Sequence, residues 1–310
     1  MKIDISIIIV TWNCKQYVLQ CLESIYSNDQ EISFEVIVID NNSADATVDE
    51  IQKRFPSVKV IANFRNIGFA GANNQGIAAS SAGFTLLLNP DTIVHKHALK
   101  NMLVFIKSNE TIGAIGPKIL NNNGTVQYAG IQFPDNWNIF CEALFLDRIF
   151  PHSRIFGKHK SLYEDFSKPF PVNYAQGSAL LLRRSALDAA GFLDERFFMY
   201  FEETDLCLRI KKKGYTIYFY PGATITHFGG GETGHYTERR LLHYHESLIK
   251  FYKKHFLPGS LVLLRFIITI RSAIRIIVWS CMLIPKFAQR KKIYSILTGY
   301  FKSFKIVLHE

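Results

Sequence analysis

Four short apolar runs, each closed by polar residues, set the strongest limit on the fold. They are Asp4 to Val10, Phe34 to Ile39, Val58 to Ala62 and Phe84 to Leu88. Each is too short for a buried helix and too uniformly apolar for a strand with one wet face, so each reads as a strand covered on both sides. Between them lie stretches of helical period: Lys15 to Tyr26 with Val18, Leu19, Leu22 and Ile25, then Asp45 to Phe55, then a segment from Asn66 through Ala79. Strands alternating with helices predict an α/β fold with a mostly parallel central sheet and right-handed crossovers.

In such a sheet all four strands end on one edge, the edge where α/β proteins bind ligands. The residues at these ends are Thr11 and Asn13, Asp40 and Asn41, Asn66 and Gly68, and Asn89 and Asp91. Any one of these ends is an ordinary turn, and Asn89-Pro90-Asp91 taken alone suits a turn well. Four together form a rim able to grip a nucleotide. Pro90 stops the fourth strand and leaves Asp91 just beyond it, where a carboxylate can hold a hard divalent cation and the cation a diphosphate. Gly68 and Gly71 let a helix N-terminus approach a phosphate. No G-x-G-x-x-G follows the first strand and no G-K-[ST] occurs, which argues against a dinucleotide-binding fold and a P-loop.

Further on, Ile112 to Leu120 extends the sheet and Asn121 to Gly124 is a turn into Thr125 to Tyr128. Residues from about 135 to 172 are mixed, with Pro134, Trp137, Pro151, Pro169 and Pro171, and read as a variable excursion. Gly177 to Leu182 is a strand, and a short helix ends at Gly191. The acidic cluster Glu202-Glu203-Thr204-Asp205 opens a helix that buries Leu206 and Ile210. Short strands at 215–220 and 223–226 lead to His227 and three glycines. The acids also suit a helix N-terminus on dipole grounds alone, and Arg209 stands four residues after Asp205, the spacing of a helical ion pair.

Charge is divided unevenly. From Lys250 onward there are 12 Lys or Arg and one acid, whereas the rest of the chain is close to neutral. That excludes a nucleic-acid-binding body and points the basic tail at an anionic surface. Five cysteines without C-x-x-C spacing imply neither a disulfide framework nor a zinc site, and the compartment reads as reducing. The first apolar run is too short for a signal-peptide core, so the body is expected in the cytoplasm. Leu261 to Ile284 is apolar but broken by Arg265, Arg271 and Arg275, so no run reaches the ~18–20 residues of a spanning helix. The three arginines, Thr269 and Ser272 share about half of the helical circumference. The pattern predicts an amphipathic helix in a membrane interface, followed by Lys286 and Arg290-Lys291-Lys292 for headgroups. A helix packed on the protein's own core is the alternative.

Seven pieces, in order, carry a family resemblance: IIIVTWN (7–13), VIDNNSADAT (38–47), NIGFAGANNQG (66–76), LLLNPDT (86–92), GSALLLRR (177–184), GFLDERFFMYFEETDLCLR (191–209) and ITHFGGGET (225–233). Together they resemble the family 2 inverting glycosyltransferases of GT-A fold, nearest to the bacterial rhamnosyltransferase-like branch, over roughly residues 3 to 250. The resemblance implies a nucleotide-sugar donor, Mg²⁺ or Mn²⁺, and direct displacement at the anomeric carbon. It implies donor-binding roles for Thr11, Asn13, Asp40, Asn41, Asn66, Gly68, Asn74, Asn89 and Asp91, metal ligation by Asp91 and His227, and an acceptor side at Gly177 and Arg183. The family's metal motif is D-x-D; here Asn89 leaves only Asp91 as a carboxylate, as in the rhamnosyltransferase-like branch. The general base falls on Glu203, where the family has Asp, with Glu202 and Asp205 as alternates.

The expected organisation is a GT-A domain over 1–255, with a donor half to about 120 and an acceptor half from 121, and a basic amphipathic membrane-associating tail over 256–310. The implied reaction moves rhamnose from dTDP-rhamnose to a polyprenyl-diphosphate-linked glycan in bacterial surface polysaccharide synthesis, at the inner face of the plasma membrane. UDP-galactose and UDP-N-acetylglucosamine stay open as donors, as does an oligomer. A nucleotidyltransferase would be expected to open with a Gly-rich loop and Lys where this chain has TWNCKQY, and a non-catalytic scaffold would have no use for Asp91, Glu203, Asp205 and His227 together.

Overall fold

A computed structural model describes residues 3–28, 31–127, 132–229, 237–282 and 290–309. Tyr128, the glycines at 230 and 231, Ile284 and Lys286 lie outside the described residues. The chain divides into two compact units, residues Met1–Ile131, Asp165–Phe198 and Glu202–Glu232 in the first, and Gln132–Glu164, Met199–Phe201 and Thr233–Glu310 in the second. These units run along other lines than the expected boundary at residue 255.

The first unit holds one nine-stranded sheet. Its strands are β1 (Ile5–Thr11), β2 (Phe34–Asp40), β3 (Lys59–Ala62), β4 (Phe84–Leu88), β5 (Thr92–Val94), β6 (Ile112–Leu120), β7 (Phe170–Val172), β8 (Ala179–Arg183) and β9 (Thr216–His227). The order is β3-β2-β1-β4-β8-β6-β9-β5, with β7 on β9. The half read from the alternating pattern, β3-β2-β1-β4, is parallel. The rest is mixed: β8 runs antiparallel to β4 and β6, and β9 is parallel to β6 but antiparallel to β5 and β7.

Both faces are covered, as the uniformly apolar strands require. Ile5, Ile7 and Ile9 of β1 face one apolar cluster with α1 (Lys15–Asn28) and α4 (Ala98–Lys107). Ile8 and Val10 face the other, with α3 (Gly68–Ala79), α7 (Arg184–Ala190) and α8 (Glu202–Lys212). The period of two in β1 thus sorts its side chains between two layers. Helix α2 (Thr47–Arg54) lies between β2 and β3 in sequence. Among the described residues all five cysteines are unpaired, as their spacing suggested.

The second unit is helical: α5 (Asn136–Ala143), α6 (Leu146–Ile149), α9 (Thr237–His255), α10 (Pro258–Cys281) and α11 (Arg290–His309). The excursion at 135–172 therefore holds ordered structure. Its helix α5 starts at a true cap, with Asp135 accepting from the Asn138 amide at 2.7 Å. The tail helix α10 packs against α5, α9 and α11. No helix of the described residues is long and apolar enough to cross a membrane.

Helix α3 can lie on β1 because Gly76 presents no side chain: a Cβ there would stand 2.4 Å from Ile8 Cγ2. Gly76→Ala raises helix propensity by about 1 kcal/mol but overpacks this contact, which costs about 1–3 kcal/mol. We expect a net loss of stability, read as a lower denaturant midpoint with unchanged m-value; a higher midpoint would contradict the close approach.

Candidate functional site

The register places the polar strand ends side by side. Thr11 pairs with Asp40, Asp40 with Ala62, and Ile9 with Leu88, so Thr11, Asp40, Asn41 and Asn89 share one edge. Thr11, Asp40 and Asn41 are buried. Asp40 Oδ2 accepts from the Ser43 amide at 2.9 Å, while its buried Oδ1 has no partner among the described residues. A buried carboxylate oxygen left over at a ligand edge suits a donor on a bound molecule. Asn41 donates to the Gly68 carbonyl at 3.2 Å and accepts from Asn63 at 3.0 Å. Asn66 Oδ1 accepts from the Gly68 amide at 2.9 Å. Gly68 has φ +84°, and a Cβ on it would meet the Phe198 carbonyl oxygen at 2.8 Å, so the turn opening α3 needs glycine on both counts. Asn13, at φ 48°, receives the Ala44 amide on Oδ1 at 2.7 Å and bridges the first two loops.

Strand β5 completes the edge. It pairs antiparallel with β9, opposing Thr92 to His227, and the Phe228 amide donates to the Asp91 carbonyl at 3.0 Å. This brings His227 Nε2 to 3.3 Å from Asp91 Oδ1 and 3.4 Å from Asn89 Nδ2. On the far side of the ring, Nδ1 lies 2.9 Å from Gln127 Oε1. Gln127 is oriented by its neighbours: its Nε2 donates to Asn121 Oδ1 at 3.1 Å, and its Oε1 also accepts from Gln176 at 3.3 Å. An amide oxygen only accepts, so Nδ1 carries the proton and the Nε2 lone pair points at Asp91. A lone pair and a carboxylate oxygen that close are the donor set of one divalent cation. Among the described residues no cluster of three or more His, Cys, Asp or Glu occurs, so two protein ligands would be completed by phosphate and water, the usual arrangement where a substrate diphosphate shares the metal.

The acidic cluster opens α8. Tyr200 and Phe201 just before it both have positive φ, 68° and 67°, a strained pair of the kind that collects at working sites. Glu202 is buried, with Oε2 unpartnered. Burial raises its pKa well above the ordinary value, and the neighbouring Glu203 charge and hydrogen bond raise it further. Burial also raises Glu203, while hydrogen bonds from Thr204 and from Glu202 partly offset this. Burial thus favours a proton on the pair, more strongly at Glu202 than at Glu203. A Cβ on Gly177 would stand 3.4 Å from Glu203 Cγ, so the glycine keeps this carboxylate uncrowded.

Three expected site residues are occupied elsewhere. Asp205 is fully buried and pairs with Arg209 at 2.8 Å, and Arg209 also donates to the Ala190, Gly191 and Phe192 carbonyls. Asp205 braces a turn and offers nothing to an acceptor. Asn74 bonds both backbone groups of Leu193 and the Glu195 carboxylate, tying α3 to the loop between α7 and α8. Arg183 pairs with Phe84, the first residue of β4, and so lies at the opposite end of the sheet from Asp91. Its guanidinium donates to the Ile112 and Asn109 carbonyls. The sequence reading also missed Asn63 and Gln127. Asn63 directly follows β3 and had the same strand-end signal as its neighbours. Gln127 carries none, because only the chain's return past Asn121 sets it beside His227.

Comparison with known proteins agrees with this geometry. The family profile described as Glycosyl transferase family 2 matches residues 6–191. The N-acetylglucosaminyl-diphospho-decaprenol L-rhamnosyltransferase of Mycobacterium tuberculosis is 30% identical over 227 residues, 70% of this chain and 73% of the relative. Among solved structures, GalNAc-T7 with UDP, GalNAc and Mn²⁺ superposes with a TM-score of 0.56 at 17% identity, over 73% of this chain but only 44% of its own. The Pyrobaculum calidifontis mannosyltransferase with GDP-mannose and Mn²⁺ gives 0.58 at 13% identity, over 99% of this chain and 87% of its own. The structural likenesses establish the fold.

The imidazole's orientation rests on one amide, so Gln127→Leu frees the ring to take the other tautomer. Mn²⁺ affinity in the presence of a nucleoside diphosphate, measured by calorimetric titration, should fall about 10–100-fold, the usual effect of losing such a support. Affinity equal to wild type would show that Gln127 does not orient His227 for a metal.

Proposed function

The chain belongs to glycosyl transferase family 2, and from that premise we propose that it transfers rhamnose from dTDP-rhamnose, with inversion, to a lipid-diphosphate-linked glycan. The observation that carries the catalytic reading is the pairing of Asp91 and His227 at the strand-end rim, in the donor geometry of one divalent cation. The sugar and acceptor rest on the mycobacterial relative, whose name states an L-rhamnosyltransferase acting on a diphospho-decaprenol glycolipid.

In this reading Thr11, Asp40 and Asn41 hold the base and ribose of the donor, with the free Asp40 Oδ1 taking a ring N–H or a hydroxyl. The opening of α3 at Gly68 and the Asn89 amide lie where the diphosphate would sit. Mg²⁺ or Mn²⁺ bound at Asp91 and His227 would supply charge neutralisation for the departing nucleoside diphosphate. Glu203 accepts the proton of the acceptor hydroxyl as that oxygen attacks the anomeric carbon from the face opposite the leaving group. Glu202 keeps its own proton and holds the Glu203 carboxylate by a hydrogen bond. Gly177 leaves room beside the base for the acceptor. The enzyme would work peripherally, on the cytoplasmic face of the membrane that carries the lipid.

A panel of dTDP-rhamnose, UDP-galactose and UDP-N-acetylglucosamine tests the donor. Nucleoside diphosphate release should favour dTDP-rhamnose, need Mg²⁺ or Mn²⁺ and stop with a chelator; equal release without metal would refute the site. Asp91→Ala should lower transfer about a thousand-fold or more, since several kcal/mol of leaving-group stabilisation goes with the cation. Glu203→Gln should cost about a hundred- to ten-thousand-fold in transfer with little change in donor affinity. Because burial raises the base, transfer should fall on acidification at a pH above the ordinary glutamate value of about 4.3. An acid limb at or below that value would mean that Glu203 is not the base.

A further inference from the structure

Helix α10 is turned opposite to the amphipathic expectation. Its only charged residues are Arg265, Arg271 and Arg275. Arg271 reaches the Glu142 carboxylate at 3.5 Å, and Arg275 donates to the Glu142 carbonyl at 3.1 Å with its guanidinium 3.7 Å over the Phe145 ring. Arg265 is half-buried, with its Nε out of solvent. Arg271 and Arg275 thus serve the second unit's own helices.

The opposite stripe is apolar and bare. Val262, Phe266 and Ile277 are 66%, 62% and 64% exposed, and Ala273 and Ser280 lie on the same line. At 100° per residue these five positions fall within about 60° of one another, and Val262 to Ile277 spans about 22 Å. Arg271 is on the far side. Exposed Leu263 widens the stripe on one side. So long a row of large apolar side chains is not an ordinary surface feature.

Charge selects the occupant. Exposed Lys253 precedes the stripe, and exposed Arg290, Lys291 and Lys292 follow it. A second copy packing stripe to stripe in antiparallel would bring these basic ends together and be repelled. An anionic bilayer suits both features, taking the apolar row among its acyl chains and the basic ends among its headgroups. We propose that the outward face of α10 is the membrane-docking surface, and that Arg271 and Arg275 are internal braces rather than lipid contacts. The inference deepens the proposed lipid-linked reaction and rests on that reading for its purpose.

The test is flotation of the full chain with phosphatidylcholine vesicles, with and without phosphatidylglycerol. No acceptor is present, so a failure here leaves the donor and acceptor assignments to the transfer assay. Wild type should float with the anionic vesicles. The double variant Phe266→Glu/Ile277→Glu changes two exposed side chains, so its thermal melt and its donor hydrolysis should match wild type while vesicle partitioning falls at least about tenfold. Lys291→Glu/Lys292→Glu should weaken flotation most with anionic lipid and at low salt. The proposal is overturned if wild type does not float or if the apolar-stripe variant floats equally well. It is also overturned if sedimentation shows a dimer that this variant dissociates without any change in flotation.

Discussion

The pairing of β5 with β9 is the contact on which the site depends. Strand β5 is three residues long, yet it opposes Thr92 to His227 and sets an imidazole from late in the chain against the carboxylate that ends β4. Without that ladder Asp91 is a turn residue and His227 the end of a strand. With it they stand 3.3 Å apart, held at fixed spacing by backbone hydrogen bonds rather than by side-chain preference, as the proposed cation site requires. Gln127 adds the last constraint, since the proton it draws to Nδ1 decides which ring nitrogen faces Asp91.

The carboxylates that open α8 use burial in another way. Placing Glu202 and Glu203 together under cover would be costly if both were charged. The cost falls when one proton is shared, and burial decides which carboxyl keeps it. Glu202 lies deeper and among the described residues has an oxygen without a partner, so burial raises it more strongly than Glu203. Asp205, one helical turn away from Glu202, takes the contrary solution: it is fully buried but neutralised by Arg209, so it contributes to the turn at 190–192 and not to chemistry. Three acids within four residues therefore have three fates, set by depth and partner.

The same logic inverts α10. A helix with three arginines and many apolar residues has two faces that can be buried, and composition alone favours burying the apolar one. Glu142 and the aromatic rings of Phe145 and Tyr244 offer the arginines partners inside the second unit. Ion pairing and ring stacking hold Arg271 and Arg275 there, and the apolar stripe is left outside.

What the sequence determined was the parallel half of the sheet and the identity of its rim. The apolar runs were long enough only for strands, their uniform character demanded cover on both faces, and the polar residues that closed them had to meet on one edge because parallel strands end together. The same reasoning located Thr11, Asp40, Asn41 and Asp91, and would have located Asn63. Tertiary structure alone decided the rest, because it depends on pairings between distant segments that leave no local periodicity. A three-residue strand has no pattern to read, so β5 and its pairing with β9 were invisible, and His227 was expected beside Asp91 only through the family resemblance. Arg183 looked like part of an acceptor motif until the antiparallel register of β8 carried it to the far end of the sheet. Gln127 had no signal at all, since its role is fixed only by what folds beside it.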